Sequence, residues 1–169
     1  REAVGRGIGT LKWKLGARPF EEELAALTRL RTALGDGIEI RLDANGGLGG
    51  EADARLRALA SVRPAYVEEP VAGAALLALL AARQGGVPVA ADESLADPAL
   101  ADALLAQGRL AAVVVKPALL GMLRAREIAL AASRRGVAVV VTHLFDGPIA
   151  LAACAELALS LPSPAACGL

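Results

Sequence analysis

The sequence contains few of the residues that mark disulfide-rich, zinc-binding or membrane-spanning proteins. It has two cysteines, Cys154 and Cys167, and a single histidine. The cysteines are too few for a disulfide scaffold and fit no metal-binding spacing, so we expect a reducing, cytoplasmic setting. The longest apolar run, Val71–Ala82, is shorter than the roughly 20 residues that a membrane-spanning helix needs, so no membrane partner is predicted.

Aromatic residues and an excess of either charge are also missing. Aromatics make up 2% of the chain, so a core must consist mostly of Ala, Leu and Val, and 18 basic residues are balanced by 18 acidic ones. Without clustered positive charge, neither a nucleic acid nor an anionic membrane surface is an expected partner. At 169 residues the chain suffices for one compact domain, residues 1–169, and leaves oligomerisation open.

Short apolar runs alternate with helical patterns along the chain. Helix signals include Pro19 and Gly35 at the two ends of one segment, and Asp97, Pro98 and Gly108 around another. The first of these helices is expected to bury an apolar stripe of Phe20, Leu24, Leu27, Leu30 and Leu34. The predicted strands are Thr10–Leu15, Ile38–Asp43, Ala65–Glu68, Val87–Asp92, Ala112–Lys116 and Val137–His143. This alternation predicts a parallel sheet with helices outside it.

A charged residue closes each of five successive predicted strands: Lys14, Asp43, Glu68, Asp92 and Lys116. They are 29, 25, 24 and 24 residues apart, close to one strand–helix unit each. In a TIM-type (β/α) barrel the carboxyl ends of the strands surround one mouth, so these side chains would meet there. On the second strand Arg41 shares a face with Asp43, and the apolar residues between them lie on the other face. An open doubly wound sheet, covered by helices on both faces, would not tolerate this pattern, so a barrel is favoured.

Three of these strand-end residues are carboxylates: Asp43, Glu68 and Asp92. Converging carboxylates repel one another unless a cation joins them. Ligands that are all oxygen suit a hard ion, so Mg²⁺ is the predicted cofactor, with Mn²⁺ as an alternative. Each carboxylate alone is better interpreted as a solvated charge at a strand end, but three in register, flanked by lysines, favour a metal site.

Lys12 and Lys14 stand at alternate positions of the first strand, so their ammonium groups share a face. A neighbouring ammonium and a nearby divalent cation both lower the pKa of a lysine, so one of the two can act as a general base. The alternative is a pair of charges that protects a sheet edge, but Trp13 between them predicts that the opposite face is buried. A base across from a metal ion suggests proton abstraction next to the carboxylate of a small-molecule substrate.

Five motifs, "TLKWKLG", "RLDANGG", "VEEP", "ADES" and "VVVKPALLG", follow one another over about residues 9–121. In this order and spacing they resemble the enolase superfamily, muconate-lactonizing subgroup. The resemblance implies that Lys14 is the base, that Lys12 tunes it, and that Lys116 stands across the substrate. It also implies Mg²⁺ ligands at Asp43, Glu68 and Asp92, with Asn45, Glu93 and Arg41 just outside them.

Within that subgroup the chain most resembles the o-succinylbenzoate synthases, lyases of menaquinone biosynthesis, with softer matches over residues 139–162 and in the final "PSPAACGL". The implied reaction is loss of water from a cyclohexadiene carboxylate to give aromatic 2-succinylbenzoate. The alternative is an N-acylamino-acid racemase, dipeptide epimerase or cycloisomerase. In a racemase or epimerase Lys14 and Lys116 would be paired acid and base.

Counted against the family's eight barrel strands, the resemblance implies that the chain carries about strands two to seven, and we expect it to lack the family's N-terminal capping domain. We therefore expect a full-length parent that is an enzyme and an isolated chain that is weak or catalytically idle. His143 is interpreted as a packed strand-end residue rather than a catalyst. Asp146 is interpreted as a helix N-cap before Pro148 rather than a polar residue of the substrate pocket.

Overall fold

All six predicted strands form, each within one or two residues of its expected bounds. They are β1 Thr10–Lys14, β2 Glu39–Asp43, β3 Tyr66–Glu68, β4 Val89–Ala91, β5 Ala112–Val115 and β6 Ala138–Val141. They are hydrogen-bonded in the order β1-β2-β3-β4-β5-β6. A doubly wound sheet would reverse its strand order part-way, so the sequential order confirms the barrel-type α/β fold.

Seven α-helices follow or connect the strands in this computed structural model, which describes residues 7–162 and 165–169. Ser163 and Pro164 of the final "PSPAACGL" stretch therefore lie outside the described residues. None of the helices in the described ranges is long and apolar enough to cross a membrane. The helices are α1 Phe20–Leu34, α2 Ala52–Leu59, α3 Ala74–Ala82, α4 Pro98–Gln107, α5 Pro117–Leu120, α6 Met122–Ser133 and α7 Pro148–Leu159.

The chain divides into two compact units, one up to Val89 and one from Ala90. In the first unit, β1 pairs with β2 in parallel so that Lys14 lies beside Asp43, and β2 pairs with β3 so that Asp43 lies beside Glu68. The apolar residues of β2 are fully buried, as the alternation predicts. Trp13 is only half-buried, because the described sheet gives β1 a neighbour on one side only.

The buried face of α1 differs from the predicted stripe. Its buried residues are Glu23, Leu27 and Arg31, whereas the other leucines of the stripe are half-buried. Arg31 is buried because its guanidinium donates to four backbone carbonyls: Val62 and Ile38 at 2.8 Å, Gly35 at 2.8 Å and Arg63 at 3.1 Å. Hydropathy alone missed this face, because two of its three residues are charged and bind the backbone.

In the second unit, β5 pairs in parallel with β4 and β6, and the buried valines of β5 and β6 lie side by side. The end of the chain adds a pairing that was not predicted. The amides of Ala165 and Gly168 donate to the carbonyls of Val139 and Val141, at 3.2 and 3.1 Å. A parallel bridge joins Gly168 to Thr142, so the chain does reach the position next to β6.

The predicted start of α4 is confirmed. Asp97 is its N-cap and accepts hydrogen bonds from the backbone N–H groups of Ala99 and Leu100, at 2.9 and 3.1 Å. Pro98 occupies the first turn, and Gly108 ends the helix with a φ of 67°, a left-handed conformation that costs glycine nothing.

Replacing Asp97 by alanine should lower the free energy of unfolding by about 1 kcal/mol, because two helix-start N–H groups lose their acceptor. Urea denaturation followed by circular dichroism measures the change. Asp97→Asn is the matched control and should retain most of the stability, since an amide oxygen can still accept from the same groups. Equal losses in both variants would contradict the capping role.

Candidate functional site

Lys12 lies between two carboxylates at the carboxyl ends of β2 and β3. Its Nζ atom is 2.9 Å from Asp43 Oδ2 and 2.9 Å from Glu68 Oε1. Both carboxylates are 1% exposed, and a buried carboxylate is tolerated only when it is paired or hydrogen-bonded. The three side chains therefore form one charged cluster in the first unit, on the face that strand alternation predicts.

The two carboxylates determine the charge state of Lys12. Partial burial of the ammonium group lowers its pKa, but the charge of Glu68 and hydrogen bonds to Asp43 and Glu68 outweigh that effect and raise the pKa above its ordinary value. Lys12 is therefore held as a cation in this arrangement. Lys14, rather than Lys12, therefore stays the predicted base.

Lys14 occupies the next position on the same face of β1. Its Nζ atom is 3.9 Å from Asp43 Oδ2, and its side chain is 72% exposed, against 40% for Lys12. Lys14 is therefore the more accessible of the two lysines and the better placed to reach a substrate. The contact with Asp43 also distinguishes both lysines from charges that merely protect a sheet edge, because each reaches a buried carboxylate.

Other predicted residues contact this cluster through the backbone or through packing. The amide of Asn45 donates to Asp43 Oδ1 at 3.1 Å, which helps to orient the carboxylate, and Asn45 reaches this position with a φ of 43°. Arg41 stacks over the ring of Tyr66, 5.4 Å from its centroid. Burial raises the pKa of Tyr66 to about 12, against the opposing charge of Arg41, so the phenol stays neutral.

The second unit contains its own cluster. The ammonium group of Lys116 forms an ion pair with Asp92 and lies 3.6 Å from Glu93 Oε1. Asp92 is 1% exposed and the Lys116 side chain 13% exposed. Each of these residues directly follows β4 or β5, so the predicted strand-end positions of Asp92 and Lys116 are correct.

The donor set of the first cluster fits a hard cation. Two carboxylate oxygens that each lie 2.9 Å from one ammonium nitrogen converge on a single positive charge, and both are oxygen donors of the type that Mg²⁺ prefers. In residues 7–162 and 165–169, no three His, Cys, Asp or Glu side chains are arranged to hold a metal ion. The assignment of Asp43, Glu68 and Asp92 as Mg²⁺ ligands stays a prediction.

The loop after β6 has a different structure from the one expected. Asp146 Oδ2 accepts from the amide of Leu144 at 2.9 Å, and the N-cap residue of α7 is Gly147, with no side-chain cap. The interpretation of Asp146 as an N-cap is therefore wrong. His143 Nδ1 accepts from the amide of Phe145 at 3.0 Å, and the two rings pack edge to face, 5.2 Å apart.

One residue that contacts the backbone next to Lys14 is not among the predicted site residues. Glu23 is 4% exposed and accepts from the amides of Gly16, Ala17 and Arg18. The available signal was its spacing, because Glu23, Leu27 and Arg31 recur every four residues on one helix face.

Comparisons with known proteins find a matching family and several relatives. The family described as "Enolase C-terminal domain-like" matches residues 1–167. The o-succinylbenzoate synthase of Thermobifida fusca (strain YX) is 35% identical over 173 residues, which cover 100% of this chain and 54% of that protein. The D-galactonate dehydratase of Ralstonia nicotianae (strain ATCC BAA-1114 / GMI1000) is 35% identical over an alignment that covers 83% of this chain and 37% of that protein.

Among solved structures, that of MenC from Desulfotalea psychrophila LSv54 superposes with a TM-score of 0.84 at 28% identity, over 99% of this chain and 48% of MenC. The chain thus spans about half or less of the length of these relatives. The matched family, the relatives and the strand order agree with one another, and the chain belongs to the enolase C-terminal domain-like family.

Proposed function

We propose that the protein is a magnesium-dependent dehydratase of the o-succinylbenzoate synthase type. The observation that carries the proton-abstraction chemistry is Lys12, held as a cation between Asp43 and Glu68, with the accessible Lys14 beside it. The choice of dehydration is supported by the 35% identical relative of that name. Because the chain spans about half of that relative, the proposal concerns the full-length gene product, in a cytoplasmic setting.

The proposed ligands of Mg²⁺ are Asp43, Glu68 and Asp92. When bound, the ion would supply positive charge against the negative charge that loss of a proton creates on the substrate carboxylate. Lys14, in its neutral form, takes the proton from the carbon next to that carboxylate. The electron pair left on the carbon forms a new double bond as the ring C–O bond breaks, and protonated Lys14 returns its proton to the departing hydroxide as water.

Lys12 and Lys116 act by charge in this scheme. Lys12 keeps its positive charge between its two carboxylates, and one of them, Asp43, also contacts Lys14 at 3.9 Å. Lys116 is enclosed and paired with Asp92, so it supplies a fixed positive charge to the substrate anion and need not transfer a proton. In a racemase the same Lys116 would instead have to exchange a proton with the substrate.

The proposed reaction is tested by incubating the full-length gene product with candidate substrates in deuterated buffer that contains Mg²⁺. A cyclohexadiene carboxylate bearing the hydroxyl leaving group is one substrate, and N-acyl amino acids and dipeptides are the others. We expect the absorbance of an aromatic product from the first and no deuterium at the α-carbon of the others. The 169-residue chain is assayed in parallel and should turn over far more slowly.

Two results would contradict the proposal in different ways. Deuterium at the α-carbon of recovered N-acyl amino acids or dipeptides, without aromatic product, would indicate a racemase or epimerase. Such an enzyme removes a proton from one face of the α-carbon and returns one to the other face. No reaction with any of these substrates would support a catalytically idle protein. Full turnover by the 169-residue chain alone would contradict only the expectation that this chain is insufficient.

A further inference from the structure

Glu23 is a buried acid for which the proposed reaction has no use. It lies in the first turn of α1, is 4% exposed and shares a helix face with Leu27 and Arg31. Its neighbours in sequence, Glu21 and Glu22, are exposed, as acidic residues at a helix start usually are. Removing a carboxylate from water is costly unless hydrogen bonds replace those of the solvent, so the contacts of Glu23 show what it does.

Those contacts are all with the loop that leaves β1. The amide of Gly16 lies 3.1 and 2.9 Å from the two oxygens of Glu23, and the amides of Ala17 and Arg18 lie 3.1 and 3.3 Å from Oε1. Hydrogen bonds to an ionised acceptor are stronger than those between neutral groups. One carboxylate thus binds three consecutive residues of the backbone.

This loop begins one residue after the strand position of the base. Lys14 is the last residue of β1, and the amide of Leu15 donates to the carbonyl of Asp43 at 2.7 Å. The Lys14 side chain is largely exposed, with one long contact to Asp43. Because so little holds the ammonium group itself, its position depends on how firmly the backbone on either side of Lys14 is held.

We propose that Glu23 is a positioning residue for the reaction, because its carboxylate fixes the Gly16–Arg18 loop and thereby the end of β1 that carries Lys14. The inference rests on the proposed role of Lys14 as the base. β2 holds Lys14 from the side through the strand pairing, and Glu23 holds the chain directly after it. Displacing a base by about 1 Å can lower the reaction rate by up to roughly a hundredfold. The hydrogen bonds from the amides of Gly16–Arg18 to Glu23, called the clamp below, should therefore contribute measurably to turnover.

Glu23→Gln tests the clamp with little change in shape. The amide keeps one acceptor oxygen, but its NH₂ group replaces the other oxygen and faces a backbone N–H, so at least one hydrogen bond is lost. We expect kcat for the proposed dehydration to fall about tenfold or more, with KM changed less than twofold. Glu22→Gln is the matched control, because it removes the same charge from an exposed position, and it should retain both constants.

Amide hydrogen exchange provides a measurement that does not depend on activity. In Glu23→Gln the amides of Gly16, Ala17 and Arg18 should exchange at least about tenfold faster than in the wild type, and those in β5 should not change. A loss of kcat without faster exchange of the loop would overturn the clamp. So would a loss that disappears at a lower temperature, because Glu23 would then merely stabilise α1.

The two proposals can fail separately. If the wild-type protein forms no aromatic product, the proposed dehydration is wrong, and the exchange rates of the three loop amides alone decide whether Glu23 holds the loop. If the wild type is active and Glu23→Gln keeps its full kcat, the positioning role is wrong and the proposed dehydration stands.

Discussion

Replacing Lys14 by alanine should reduce turnover of the cyclohexadiene acid by about a thousandfold or more. A positioned general base contributes roughly 10²–10⁴-fold to a proton transfer. Lys12 is not placed to take over, because its ammonium group is engaged by Asp43 and Glu68, at 2.9 Å from each. The fold should survive, because the Lys14 side chain is 72% exposed and makes one contact at 3.9 Å. Steady-state kinetics at saturating Mg²⁺ measures the loss, and circular dichroism verifies the fold.

Arg29→Ala is the control for the loss of one positive charge. Arg29 is exposed on α1 and should keep the full rate in the same assay. Exchange of the substrate's α-proton with deuterated solvent should also stop in Lys14→Ala. If that exchange continued at the wild-type rate while product formation fell, Lys14 would act after proton removal and another group would be the base.

Replacing Asp43 by asparagine should weaken Mg²⁺ binding by at least about a hundredfold and lower turnover at fixed Mg²⁺ in parallel. Loss of an outer contact to a metal ligand already costs about 10–100-fold, and the substitution removes a charged ligand altogether. It also leaves Lys12 with one carboxylate in place of two. Calorimetric titration with Mg²⁺ measures the affinity, and activity against Mg²⁺ concentration measures the functional requirement.

Asp36→Asn controls for the loss of a negative charge in the same unit. Asp36 forms an exposed ion pair with Arg63 at 2.5 Å, in which the hydrogen bond from Arg63 lowers the pKa of the carboxyl group. Exposed pairs contribute little to stability, so this variant should bind Mg²⁺ as the wild type does. Full activity of Asp43→Asn with an unchanged Mg²⁺ requirement would remove Asp43 from the set of ligands.

The fold could be predicted because its signals are local and repeated. Apolar runs separated by helix start and end signals indicate six strands. The start of α4 at Asp97 and Pro98 and its end at Gly108 follow directly from the residue types at those positions. The strand-end positions of the charged residues follow from the same period. Which face a strand residue takes follows from alternation, so it was predictable that Lys12 and Lys14 share one face and that Arg41 and Asp43 share another.

The contacts of buried charged groups could not be predicted in the same way. Arg31 donates to the carbonyl of Val62, 31 positions away, and Glu23 accepts from backbone amides, which are present at every residue except proline. Residue types therefore give no sign of such partners. The lower exposure of Lys12 relative to Lys14 could not be predicted for the same reason, because it depends on the contact between Lys12 and Glu68 of β3.

Arg31 lies at the opposite end of the strands from the lysines. It binds carbonyls that precede β2 and β3, whereas Asp43 and Glu68 close those strands. A five-residue strand is about 15 Å long, and residues that far apart rarely influence each other's energetics. Substitutions near the lysines, Asp43 and Glu68 can therefore change the proposed substrate without disturbing the hydrogen bonds of Arg31, which stabilise the fold at the other end of the strands.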